Sequence, residues 1–200
     1  MTPFPFAYPM SPHSRRHGPG GYEVYNSYRP WLRDEFSFRC VFCLTREQWG
    51  LTKGLWDIDH FVSQRSDPTR THDYDNLLYV CATCNSMKSH HEVPDPTVVS
   101  YGDALRVNRD GTITALNKNG EKLISILRLD NADYTRYRGL LIEMLDILAT
   151  KKREAYVSWM KYPDDLPNLE SLRPPTNTRP DGINDCFFER KARGELSEVY

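Results

Sequence analysis

Four of the five cysteines fall into two C-x-x-C pairs, Cys40-Val-Phe-Cys43 and Cys81-Ala-Thr-Cys84. That spacing lets the two thiolates of a pair reach one metal ion, and two pairs supply the four sulfurs of a closed tetrahedral Zn²⁺ site. Cys40, Cys43, Cys81 and Cys84 are therefore expected to hold one structural zinc. A lone pair would equally suit a redox motif; two pairs leave four buried reduced thiols as the plain alternative. Binding free energy at such a site is folding free energy, which would let a small polar region fold around it. The insert between the pairs, residues 44–80, exceeds the roughly 15–20 residues of a simple zinc ribbon, so its content decides the chemistry. Cys186 stands alone and carries no assigned role.

Inside that frame, Trp56-Asp57-Ile58-Asp59-His60-Phe61 alternates apolar and polar residues as a strand does. A polar stretch from Ser63 to Asp75 follows, then Asn76-Leu77-Leu78-Tyr79-Val80. Asn85 and Lys88 come directly after the second pair, where a helix is expected to begin. The assembled pattern, C-x-x-C, D-H, N-L, C-x-x-C-N-x-x-K, resembles the HNH endonucleases over roughly residues 36–92, in the zinc-bearing subgroup with Asn in place of the final His. The resemblance implies an α+β protein. Its ββα-metal core, a short strand pair followed by a helix about one catalytic ion, would be framed by the four-cysteine zinc site and carry helical and hairpin extensions.

The same resemblance implies hydrolysis of phosphodiester bonds in DNA. Such hydrolysis needs a water deprotonated, charge on phosphorus stabilised and the leaving oxygen neutralised. By resemblance His60 is the general base, which suits an imidazole whose pKa lies near neutrality. Asp59 and Asn85 would be ligands of a catalytic ion. A carboxylate with an amide oxygen is a hard pair suited to Mg²⁺ or Mn²⁺. On a regular strand Asp59 and His60 point to opposite faces, and the family twists the strand so that each reaches its target. Asn76 would hold the loop carrying His60 through the backbone. Lys88, Arg65 and Arg70 would touch phosphates. Ser63 departs from the Pro common three residues after the His, and the loop Asp67-Pro68-Thr69-Arg70-Thr71-His72 lacks the family's glycines. His90 and His91 are read as solvated helix-end residues rather than ligands. Small relatives in bacteria serve restriction or anti-phage defence beside an ATPase, so DNA and a defence-system protein are the expected partners. The competing reading is a zinc-ribbon module that binds nucleic acid or protein without catalysis. Retention of Asp59, His60, Asn76 and Asn85 together favours the enzyme.

The elements that must position these residues are less sharply written. The chain has 200 residues, 39% hydrophobic and 12% aromatic, as a folded domain with appendages requires. Net charge is −1, so the chain as a whole carries no electrostatic footprint for nucleic acid. No stretch reaches the roughly 20 apolar residues of a membrane span. Pro at positions 3, 5, 9, 12 and 19 breaks up any signal-peptide core, so a cytoplasmic location is expected. Residues 1–21, rich in Pro, Gly, Ser and His, read as a disordered leader or a docking arm. The nuclease core spans 22–93, opening on a short helix from Tyr28 to Phe36 with Pro30 in its first turn. Residues 94–162 form an accessory unit packed on the core. There Asn108-Arg109-Asp110-Gly111 joins two strand-like runs as a hairpin, Asn119-Gly120 marks a second turn, and Lys122 to Leu129 fits helix or strand. A long helix follows, capped by Asn131 or Asp133 and running to about Met160, with Tyr137, Leu141, Met144 and Leu148 facing inward. Residues 163–200, punctuated by five prolines, read as an extended tail with a short helix at Phe187 to Arg193.

Overall fold

The computed structural model describes residues 3–49 and 56–200. In chain order the elements are strand β1 (Pro19–Gly20), helix α1 (Arg29–Glu35), strands β2 (Trp56–His60) and β3 (Leu77–Cys81), helix α2 (Ala82–Lys88), the single turn α3 (Tyr101–Ala104), strands β4 (Leu105–Val107) and β5 (Ile113–Ala115), helices α4 (Lys118–Leu127), α5 (Ala132–Lys151) and α6 (Arg153–Met160), strand β6 (Thr176–Asn177) and helix α7 (Phe187–Ala192). The fold is α+β, with three separate two-stranded antiparallel pairs: β2 with β3, β4 with β5, and β1 with β6. Among the described residues no helix is long and apolar enough to cross a membrane.

The β2–β3–α2 unit is the centre. Its register runs from Trp56 opposite Cys81 to His60 opposite Leu77. Side chains alternate across a strand, so Asp57 and Asp59 share the face that α2 covers, while Trp56, Ile58 and His60 share the other. Helix α1 packs behind, with Trp31 and Leu32 fully buried, each contributing roughly 1.5–3 kcal/mol of burial. Pro30 sits in its first turn, where the missing N–H costs nothing.

Residues 3–21 are not a free leader. Phe6, Tyr8 and His17 are buried, the Tyr8 hydroxyl donates to the Phe42 carbonyl at 2.7 Å, and Pro19–Gly20 pairs with Thr176–Asn177. Proline stops the segment from forming helix or sheet of its own, but a few large side chains suffice to lay it on the core. The tail is likewise packed: Leu169 and Cys186 are fully buried, with Leu166 and Phe187 nearly so, and α7 forms where a short helix was expected.

The accessory unit has the expected hairpin, β4–β5. Its turn glycine, Gly111, has φ +85° and lies so close to α5 that a Cβ would fall 2.2 Å from the Thr135 carbonyl oxygen. Arg138 Nε donates to the Gly111 carbonyl at 2.7 Å, fixing the tip on the helix. Asn119-Gly120 is not a turn but the first turn of α4, because Asn117 caps that helix through the amides of 119 and 120. Asn131 caps α5 as expected. The long helix breaks at Lys152 (φ −145°, ψ 71°) into α5 and α6. Leu141, Ile142 and Leu145 form its buried stripe, while Tyr137 keeps 36% of its surface exposed.

Candidate active site and zinc frame

The first cysteine pair sits in a tight turn closed by the Cys40 amide on the Thr45 carbonyl (2.9 Å) and the Leu44 amide on the Cys40 carbonyl (3.0 Å). The second is the start of α2: Cys81 caps the helix, its sulfur accepting from the Cys84 amide at 3.4 Å. The register of β2–β3 carries Cys81 back to the first pair, and the four sulfurs all lie within 4.8 Å of one another, with Cys43 and Cys81 3.7 Å apart. A tetrahedron with Zn–S bonds of about 2.3 Å has edges of roughly 3.8 Å, so the cluster fits zinc. Burial pushes the Cys40 thiol well up, and neighbouring sulfurs push Cys84 the same way while holding Cys81 down. Four thiolates can share this space only around a cation. The accessory helix closes over the cluster, with the Tyr134 hydroxyl 3.7 Å from the Cys84 sulfur.

His60 ends β2 with 9% of its surface exposed. Its Nε2 lies 3.0 Å from the Thr71 carbonyl oxygen. A carbonyl only accepts, so Nε2 carries the proton and Nδ1 keeps its lone pair. The Tyr25 ring meets the imidazole edge-on at 4.9 Å. The Gln64 amide nitrogen is 3.2 Å from both ring nitrogens, so it is not aimed at a single lone pair. Burial lowers the His60 pKa, and the charges of Lys88 and His72 act in the same direction against the pull of the Thr71 carbonyl.

Asn76 is fully buried in a 3-10 turn (Tyr74–Asn76) just before β3. Its Oδ1 accepts from the Val62 amide at 2.8 Å, and its Nδ2 donates to the carbonyls of Val62 (3.0 Å) and Arg70 (3.2 Å). Both ends of the loop after His60 are thus tied to one side chain.

On the α2 face of the strand, Lys88 Nζ lies 3.0 Å from Asp59 Oδ1 and 2.9 Å from Oδ2, and donates to the His60 carbonyl at 2.8 Å. Only the contact to Oδ1 is a directed hydrogen bond, so buried Oδ2 has a cation beside it but no donor. Burial pushes the Asp59 carboxyl up to about 6, opposed by Lys88 and assisted by Asp57. Lys88 is 1% exposed. It does not reach phosphate, contrary to the sequence expectation: its stem follows α2 inward and its ammonium is consumed by Asp59 and the strand backbone. Asn85, one turn earlier, donates from Nδ2 to Asp57 Oδ2 at 3.0 Å. Asp59 and Asn85 are thus each tied on the α2 face of β2, Asp59 by Lys88 and Asn85 by Asp57.

Of the two arginines, Arg65 is exposed beyond His60, whereas Arg70 is half-buried and forms a forked pair with Asp73 (2.9 and 2.8 Å). His90 and His91 are exposed and stack on each other. Asp57, Tyr25 and Gln64 escaped the sequence reading. Asp57 alone had a signal, lying two residues before Asp59 on one strand face.

No curated protein matches the chain significantly. Residues 40–91, about a quarter of the chain, match the family model described as HNH endonuclease. That span begins at the first cysteine of the cluster, takes in the whole β2–β3–α2 unit and ends just past α2. The segment carrying the zinc frame and the Asp-His strand is thus the part of the chain that is similar to the HNH endonucleases.

Proposed function

We propose that the chain is a metal-dependent endonuclease that hydrolyses phosphodiester bonds in DNA. The observation that carries this reading is the placement of His60, whose Nε2–H is spent on the Thr71 carbonyl, leaving Nδ1 as the basic nitrogen with the Gln64 amide 3.2 Å away. In this reading Nδ1 takes a proton from water as the water oxygen attacks phosphorus and the ester P–O bond breaks. Asn76 keeps the His60 loop in place through that transfer. Asp59 and Asn85 would hold Mg²⁺ or Mn²⁺, Asp59 through the Oδ2 that lacks a directed hydrogen bond although Lys88 Nζ lies 2.9 Å from it. When bound, that ion would supply charge stabilisation for the phosphoryl and leaving oxygens. Arg65, and Arg70 to the extent Asp73 releases it, would contact flanking phosphates.

The test is cleavage of plasmid and single-stranded DNA by zinc-loaded protein with Mg²⁺ or Mn²⁺. His60→Ala should lower the rate by about 10²–10⁴-fold while zinc content and DNA binding persist. Because the His60 pKa is lowered, the wild-type rate should climb with pH at values below the ordinary imidazole range and then level off. Wild-type-rate cleavage by His60→Ala, in a preparation free of other nucleases, would overturn the assignment. The proposed role in bacterial restriction or anti-phage defence, beside an ATPase partner, follows from the family resemblance. Equal phage plating on cells expressing wild type and His60→Ala would count against it.

A further inference from the structure

We infer that Asp57 is a positioning residue for the catalytic ion, because it decides which end of the Asn85 side chain faces that ion. The inference rests on the proposal that Asn85 is a ligand.

A carboxamide has an oxygen that can bind a hard cation and an NH₂ group that cannot. The two ends have nearly the same shape, so an unconstrained Asn on an exposed helix face presents the wrong end as readily as the right one. Asp57 removes that ambiguity. It lies on the α2-facing side of β2, two residues from Asp59, and its Oδ2 is 3.0 Å from Asn85 Nδ2. A carboxylate accepts and never donates, so only the NH₂ end of Asn85 can be satisfied there. Asn85 Oδ1 is thereby turned away from Asp57, and among the described residues it accepts no hydrogen bond. The arrangement parallels a carboxylate that fixes the orientation of a metal-binding His from behind, with an amide in place of the imidazole.

Lys88 and Asp57 then divide the work. Lys88 holds the Asp59 carboxylate and the His60 backbone, which sets the strand; Asp57 sets the helix ligand. Each proposed ligand of the ion has its own fixed partner.

The experiment is Mn²⁺ binding to the zinc-loaded full chain carrying His60→Ala, read from the electron paramagnetic resonance of free Mn²⁺. Thermal midpoint and zinc content serve as controls for the fold. Asp57→Asn, which keeps the shape but can donate as well as accept, should weaken Mn²⁺ binding by about 10–100-fold, the usual effect of removing a ligand's orienting partner. The decisive comparison repeats Asp57→Asn in an Asn85→Asp background. There both ends of the helix ligand are oxygens and nothing remains to orient, so the penalty should shrink to within about threefold or reverse. Equal weakening in both backgrounds would mean that Asp57 is itself a ligand or acts as a bare charge, and would overturn the inference; so would no weakening in either. Absence of Mn²⁺ binding by the His60→Ala parent would instead strike the proposed ion, and this inference with it.

Discussion

The two ends of the β2–β3 hairpin are held in opposite ways. At the Trp56–Cys81 end four sulfurs from two short turns converge within 4.8 Å, and one ion can fix them all. At the His60–Leu77 end no metal cluster is present among the described residues. The Asn76 turn is gripped by side chains from remote parts of the chain. Arg15 donates to the Leu77 carbonyl at 2.7 Å, Arg179 makes a forked pair with Asp75 at 3.0 and 2.8 Å, and the Tyr28 hydroxyl donates to the His72 carbonyl. Behind them the C-terminal end of α1 acts as a hub. Glu35 accepts from His13, the amides of Arg16 and His17, and the Tyr74 hydroxyl, while Asp34 accepts from Arg16, His17 and the Phe187 amide. One end therefore depends on a single strong centre and the other on many modest bonds. The loss of one component should be all-or-none at the first and graded at the second.

The largest effect is expected at the zinc end. Chelation, or Cys84→Ser, should abolish the cooperative unfolding transition, because structural zinc contributes on the order of 10 kcal/mol in small zinc domains. A folded, metal-free wild type would remove the contrast altogether.

At the other end acid is the lever. Burial raises the Glu35 carboxyl, but bonds from His13 and the Arg16 amide, with the charges of His17 and His13, outweigh it and hold the group at about 2 against an ordinary 4.5. The unfolded chain takes up the proton first, so this stabilisation is present above about pH 4.5 and is lost as pH falls toward 2. It amounts to about 3 kcal/mol. Glu35→Gln should flatten that part of the acid-denaturation curve, and a variant curve superimposing on wild type would contradict the hub.

The smallest effect is expected from Asn76→Ala. It leaves the Val62 amide and carbonyl without partners, takes one of two donors from the Arg70 carbonyl, and should cost roughly 1–3 kcal/mol. Zinc should stay bound while cleavage slows. Loss of zinc on this substitution would show that the two ends are one unit.

The same contrast explains what could be read from sequence. The zinc frame is local: each knuckle is four residues long, and its chemistry is in its spacing. The Asp59-His60, Asn76 and Asn85 positions came with the pattern. The hairpin at Asp110-Gly111 and the Asn131 cap were legible because turn and cap chemistry is local too. The braces were not. Arg15 meets Leu77, His17 meets Asp34, and Asp34 meets Phe187 across stretches that periodicity does not connect, and a proline-rich composition hides the anchors Phe6 and Tyr8. Lys88 was misread for a related reason. A lysine three residues beyond a proposed ligand looks like a phosphate contact until the depth of Asp59 is known.

The pairing of Pro19–Gly20 with Thr176–Asn177 has a consequence for the order of events during synthesis. The ribosome releases residues 3–21 before the hairpin, yet their partners at Thr176, Arg179 and Phe187 emerge after it. The zinc knuckles, both complete by residue 84, can close long before. Once residue 84 is out, a growing chain owns a metal-framed hairpin while the turn beneath His60 still lacks Arg179.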